Sequence, residues 1–243
     1  MSKEQKNKNT AAANDVKKSG KGGLVHDALV LFAITVIAAL ALGFVYELTK
    51  DPIEQAEAQA KVDAYKAVFP EMFTTKELGN ADETLKKANE LISGGKTYEG
   101  VTIDEILSVE SEMGLPLGWV MTVTSSKGYG GKITLTMGVS NGNSSGTTGS
   151  SGTFGMLRGV EILSLSETPG LGMNAKEDKF LSQFKDAEVG QYSLAKRNIS
   201  GDTEIDAISN ATITTTAVTR SVNAGLKVIQ EMFLKNWEST NGN

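Results

Sequence analysis

The chain contains no cysteine and a single histidine, His26, among its 243 residues. Disulfide frameworks, cysteine-ligated zinc, iron–sulfur clusters, thioether-attached haem and Cys–His catalysis are therefore excluded. Any redox chemistry must come from an organic cofactor. Proline is scarce, at four residues, and aromatic side chains make up only 6% of the chain. Positive charge is also short, with 24 lysines and arginines against 29 acidic residues and a net charge of -5. Binding a phosphate backbone needs a basic face, so no nucleic-acid partner is expected. The remaining composition, 40% hydrophobic and 22% charged, is that of ordinary folded domains.

Charge is distributed unevenly. Through Asp27, six lysines face only Glu4, Asp15 and Asp27, and residues 1–23 are too polar to bury a core, so they are expected to form a disordered tail. From Ala28 to Tyr46 run nineteen residues without a charge, and Leu24 and Val25 extend the apolar stretch. At about 1.5 Å per residue this matches the roughly 30 Å hydrocarbon core of a bilayer, so residues 24–49 are read as a transmembrane helix. Ala39-Leu40-Ala41 also resembles a signal-peptide cleavage site. The apolar run continues past it to Phe44 and Val45, which favours retention as an anchor. Lys17, Lys18 and Lys21 precede the span and Asp51, Glu54 and Glu57 follow it. The positive-inside rule then predicts a single-pass membrane protein with a cytoplasmic N-terminus and the rest of the chain outside. Ala33, Ala38, Ala39, Ala41 and Gly43 would let a neighbouring helix approach closely. His26 is assigned no role.

Residues 50–97 are read as a helical connector. Asp51-Pro52 has the form of a helix start, with the helix running to Val68 and continuing upward from the membrane, and Asn80 to Ile92 forms a second helix stopped by Gly94-Gly95. Lys61 to Lys87 is read as a solvated charged face. Residues 98–243 are read as one α+β domain. Val101–Val109, Trp119–Thr124, Lys132–Val139 and Leu157–Leu165 are rich in β-branched residues and bounded by glycines, predicting a mostly antiparallel sheet. Residues 141–155, dominated by Ser, Gly, Asn and Thr, are expected to form a mobile hairpin loop with no inferred chemistry. A helix from Asn174 to about Lys185, a strand at Gln191–Lys196 and a long helix from Ile213 to Trp237 complete the pattern.

The segment Asp206 to Thr214, DAISNATIT, sets threonine hydroxyls at the start of that last helix. A phosphate held there would meet unpaired backbone N–H groups and the positive end of the helix dipole. Alternatively, Ser209, Thr212 or Thr214 is simply the N-cap. This segment closely resembles the (D)xx(S/T)GAT flavinylation motif of membrane-anchored FMN-binding subunits: the G subunit of the Rnf ion-translocating oxidoreductase and its relative, the C subunit of the sodium-translocating NADH:quinone oxidoreductase. Lys127 to Ile133, KGYGGKI, resembles the GYGG turn of that family. Gly159 to Ile162 resembles its following strand, and Glu167 to Gly172, ETPGLG, resembles its ETPGLG loop. The order and spacing also agree, over roughly Tyr98 to Leu234.

The resemblance implies an electron-transfer subunit, not catalytic alone, with a single N-terminal membrane helix and an extracytoplasmic FMN-binding domain. In that family, FMN is held by a phosphoester bond to the motif threonine, here Thr212, installed from FAD by a separate flavin transferase with a divalent metal. Ser209, Asn210, Ala211, Ile213 and Thr214 flank that threonine. Glu167, Thr168, Pro169, Gly170, Leu171 and Gly172 would lie beside the isoalloxazine, with Thr168 and Leu171 touching the ring, and Tyr129 would stand near it. The Lys127–Gly131 stretch could equally be a plain hairpin turn, whereas for the ETPGLG loop flavin contact is favoured over a Pro-Gly turn that only reverses the chain. The implied complex couples electron transfer between ferredoxin and NAD to Na+ or H+ translocation through partner subunits. Two other readings stay open: a C-type subunit of the quinone reductase, and a non-redox anchored binding module that has lost its flavin. The last rests on one departure, because the motif glycine is Asn210 here. Asparagine can take the left-handed backbone that glycine favours, but its side chain could also block the transferase.

Overall fold

A computed structural model describes residues 21–141, 155–195 and 203–235. Residues 1–20 of the expected tail, most of the Ser/Gly-rich loop, Lys196 and Trp237 lie outside the described residues. The chain divides into two compact units, residues 1–57 and 58–243.

Helix α1 runs from Lys21 to Val68. Over residues 28–46 it is apolar on all sides and covered by nothing among the described residues, with Phe32, Leu40, Leu42 and Phe44 each at least 66% exposed. A helix that is apolar all round needs an apolar environment, and this one is long and apolar enough to cross a bilayer. Asp51-Pro52, expected as a helix start, lies inside α1 instead. Pro52 has no N–H to give to the carbonyl of Leu48, and the helix runs on through the loss of that one bond.

In the second unit, β1 (Thr74–Glu77), β2 (Val101–Glu110), β3 (Pro116–Ser125), β4 (Ile133–Ser140), β5 (Met156–Leu165) and β6 (Ala187–Glu188) form one sheet in sequential order, every neighbouring pair antiparallel. The four long strands fall where β-branched patterning put them. Two-residue strands β7 (Ser193–Leu194) and β8 (Glu204–Ile205) pair parallel to each other in a separate sheet, a remnant of the strand expected at Gln191–Lys196.

Helices α2 (Ala81–Ser93) and α4 (Thr212–Ile229) pack on one face of the large sheet. Val218, Val222 and Ile229 are fully buried on α4, against Met121, Leu135 and Met137 among others. Burying each such side chain contributes about 1.5–3 kcal/mol. The chain continues beyond α4 as one π-helical turn, Gln230–Leu234. The helix expected over Asn174–Lys185 is broken into a 3-10 turn (Gly172–Lys176), the short α3 (Asp178–Leu181) and another 3-10 turn (Ser182–Phe184). The break falls at Glu177, whose backbone is extended (ψ 142°). Phe180, Leu181 and Phe184 nonetheless reach the core, as their spacing predicts.

The opposite face of the sheet is covered by the end of α1. Val120, Gly138 and Gly159 are cross-strand neighbours on β3, β4 and β5, and the two glycines leave a trough filled by Val68 and Phe69. A Cβ at Gly138 would stand 2.8 Å from Phe69 Cδ2. Below this trough Tyr65 donates to Glu105 Oε2 at 2.6 Å, and Lys61 pairs with the same carboxylate at 3.1 Å. Residues 74–93, read as connector, supply β1 and α2 to this unit.

Candidate flavin site

Three chain segments meet where α4 begins. The first is Asp206–Ala211, which leads into the helix. Asn210 has φ +60°, in the left-handed region. Ala211 occupies the N-cap position and makes no side-chain capping bond, so none of Ser209, Thr212 and Thr214 is the N-cap. The first helical bond runs from Thr215 N–H to Ala211 O (2.9 Å), which leaves the N–H groups of Thr212, Ile213 and Thr214 ahead of the helical ladder. The first turn also carries no acidic residue. The usual occupants of a helix N-terminus, a capping oxygen and a carboxylate, are therefore both missing.

The second segment is the turn between β3 and β4, residues 126–132, and the third is the loop after β5, Ser166 to Leu171. Glu167 ties them together: its carboxylate accepts the N–H of Tyr129 at 2.8 Å and that of Gly130 at 3.2 Å. Thr168 O closes the loop on itself by accepting the N–H groups of Leu171 (3.1 Å) and Met173 (3.2 Å). Gly172 then passes so close to α4 that a Cβ there would stand 2.7 Å from Thr214 Oγ1 and 2.8 Å from Glu167 Oε2. Glycine is required at this point for space, whereas Gly170 is required for its backbone (φ +74°), with open space around it.

Together these segments enclose a cleft of about 510 Å3 lined by Tyr129, Glu167, Thr168, Leu171, Gly172 and residues 210–214. Tyr129, Ile213 and Leu171 stand on its rim as exposed apolar groups. Thr212 is exposed and Thr214 is buried. A second hollow of about 450 Å3 shares Leu171 and Asn210 with the first and takes in Ser209 and Gly170. Pro169 lines neither. Thus the sequence-predicted residues converge from three separated stretches, with Ser209, Gly170 and Pro169 lying outside the main cleft.

Two residues outside every motif shape this site. Gln183 accepts the N–H of Asp206 through Oε1 at 2.6 Å and donates through Nε2 to the carbonyl of the same residue at 3.3 Å. Thr215 Oγ1 accepts the N–H of Ile208 at 3.1 Å and donates to Ala211 O at 2.9 Å. Nothing in the sequence marks Gln183, while Thr215 is reachable only once Ala211 is known to be four residues upstream at the helix start.

The residues fit FMN. The cleft lies within the roughly 300–1,000 Å3 of small-molecule and cofactor sites, its rim offers apolar surface to a flat ring, and the uncapped helix start suits a phosphate.

Comparison with known proteins agrees with this geometry. A family model for the FMN-binding domain matches residues 128–227, and one for the RnfG N-terminal region matches residues 24–68. The G subunit of the Na+-translocating ferredoxin:NAD+ oxidoreductase complex of Acetobacterium woodii is 27% identical over 214 residues, covering 84% of this chain and 90% of that protein. The G subunit of the proton-translocating ferredoxin:NAD+ oxidoreductase complex of Clostridium ljungdahlii is 36% identical over 104 residues, 43% of this chain and 49% of that protein. Among solved structures, NqrC of Shewanella oneidensis superposes with a TM-score of 0.44 at 22% identity, over 55% of this chain and 60% of that one. With a match to the RnfG N-terminal region followed by a match to the FMN-binding domain, and G-subunit relatives aligning along most of its length, the chain carries an FMN-binding domain and is similar to RnfG subunits.

Proposed function

We propose that this chain is the electron-transfer subunit of an Rnf-type complex, coupling electron transfer between ferredoxin and NAD to Na+ or H+ translocation, and that it carries FMN esterified through its phosphate to Thr212. One observation carries the reading: the exposed Thr212 hydroxyl sits at a helix start that has neither cap nor acidic residue and opens onto a cleft with an apolar rim. The N–H groups of Thr212, Ile213 and Thr214 would hold the phosphate, an interaction of about 0.3–1 kcal/mol when exposed. Tyr129, Leu171 and Ile213 would offer apolar surface to the ring, and Glu167 ties the turn that bears Tyr129 to the loop that bears Leu171. When bound, FMN supplies the electron-transfer chemistry that no side chain of this cysteine-free chain provides.

Asn210 meets the backbone requirement that glycine meets in the motif, because it takes up φ +60°. This favours the carrier over an anchored module without flavin. Relatives aligned along most of the chain are named as G subunits, which favours an Rnf-type complex over the quinone reductase. In this reading α1 anchors the protein beside its partner subunits in the bilayer, the lysine-rich N-terminus is cytoplasmic and the flavin domain faces outward. A flavin transferase acts during maturation, and the tether keeps the cofactor from escaping.

The test uses the full chain co-expressed with the transferase. The denatured wild-type band should fluoresce under ultraviolet light, and the peptide containing Thr212 should gain the mass of FMN less water. Thr212→Ala should be dark and Thr212→Ser fluorescent. A dark wild-type band from cells with an active transferase refutes the proposal.

A further inference from the structure

We infer that Gln183 and Thr215 are positioning residues for flavin attachment: acting from opposite ends, they hold Asp206–Ala211 in the form that presents Thr212 to the transferase. The inference rests on the reading of Thr212 as the attachment point.

Within the first turn and a half of α4 lie four threonines, at 212, 214, 215 and 216. The fold leaves one of these hydroxyls accessible and unengaged. Thr214 is buried beneath Gly172. Thr215 is fully buried, and its hydroxyl is used both as acceptor and as donor. Thr216 Oγ1 donates to Thr212 O at 2.7 Å. Thr212 alone of the four is an exposed residue. Selection of this residue is thus built into the substrate domain.

The segment that delivers Thr212 belongs to no helix and no strand. Its backbone is fixed by side chains. At one end the Gln183 amide reads both the N–H and the C=O of Asp206, as a strand partner would. At the other end the Thr215 hydroxyl links Ile208 N–H to Ala211 O, and Ala211 N–H returns to Ile208 O at 3.0 Å. Within the turn that the second clamp closes stand Ser209 and Asn210, both exposed and free to be gripped. In the transfer itself, Thr212 Oγ forms a P–O bond to the FMN phosphorus of FAD. The anhydride P–O bond breaks, AMP leaves with the electron pair, and the hydroxyl proton passes to a base of the transferase.

A segment already in the competent form is recognised at full affinity, whereas a loosened one is recognised in proportion to its competent fraction. Removing either clamp should therefore raise the KM for the protein substrate about tenfold, the scale of one hydrogen-bond pair, and leave kcat unchanged. The assay takes the full apo-chain in detergent, from cells lacking the transferase, and adds transferase, FAD and Mg2+. Initial rates come from in-gel flavin fluorescence. Thr215→Val and Gln183→Leu should show the KM rise, and Thr215→Ser should restore the wild-type value. Thermal unfolding of each variant identifies those that fail to fold, and Gln183→Leu tests the clamp from outside the helix if Thr215→Val is among them. An unchanged KM, a fall in kcat alone, or faster modification of the loosened variants overturns the inference while leaving Thr212 as the attachment point. No modification of the wild type overturns the attachment reading and this inference with it.

Discussion

Asn210 is where the motif and this chain differ, and its backbone makes a quantitative prediction. At φ +60° an ordinary L-residue suffers a clash of Cβ with the following carbonyl, costing roughly 1–2 kcal/mol, and asparagine bears less of this than other side chains. Asn210→Gly would remove the clash but loosen the unfolded chain by about 0.4–1 kcal/mol, so the two effects should cancel to within about 0.5 kcal/mol. Asn210→Ala should destabilise the domain by about 1 kcal/mol and the β-branched Asn210→Val by about 2 kcal/mol. Urea unfolding of the full chain in detergent, followed by tryptophan fluorescence, measures this series, since Trp119 packs against Phe233 at 5.1 Å between ring centroids. The same four proteins should rank identically in flavin content. If alanine and valine unfold at the same urea concentration as asparagine, the left-handed backbone is not what position 210 requires. If glycine leaves stability unchanged but raises flavin content, the asparagine side chain obstructs the transferase, and the motif glycine serves for space.

Gly172→Ala places a Cβ 2.7 Å from Thr214 Oγ1 and 2.9 Å from Glu167 Cβ, and should cost about 1–3 kcal/mol while reducing flavin content; unchanged thermal unfolding and flavin fluorescence would contradict that packing. Burial, and secondarily Glu188, pushes the Tyr192 phenol up to about 12 from its ordinary value near 10. A raised folded-state pKa gives stability that is present in full below pH 10 and lost as pH climbs through about 12, so unfolding midpoints should drop in that window and Tyr192→Phe should flatten the drop.

How much was legible in the sequence depended on whether a residue's environment was set locally. The membrane helix, the four long strands and α4 announce themselves, because uninterrupted apolarity, β-branched runs and three-to-four spacing are read within one element. The segments of the candidate site were singled out for a different reason: each resembles a motif of one family, in that family's order, and the structure brings them around one cleft. β1 was not legible. Its sequence, TTKE, is polar and mostly exposed, and it becomes a strand only by pairing with β2. The helix expected after Gly172 failed because the turn at its start is already committed. The N–H of Met173 goes back to Thr168 O, closing the loop that carries Leu171, and Glu177 is left extended.

The least legible feature is the way irregular backbone is stabilised. Three amide side chains each bind both the N–H and the C=O of a single distant residue: Asn89 with Ile103 at 2.9 Å for both bonds, Gln183 with Asp206, and Asn223 with Tyr192 at 2.8 Å for both. Each substitutes for a missing strand partner at an edge or a loop, where an unpaired backbone group would cost about 1–3 kcal/mol. None has a sequence signature, since an amide on a helix face reads as a solvated polar residue until the chain it binds is known. Two of the three are confined to ordinary framework, joining α2 to β2 and α4 to the start of β7. The third holds the segment that precedes Thr212. The same device that replaces a strand elsewhere is therefore used at the candidate flavin site on a loop, and under the proposed attachment to Thr212 it keeps that loop ordered without locking it into a sheet that would hide its backbone from the transferase.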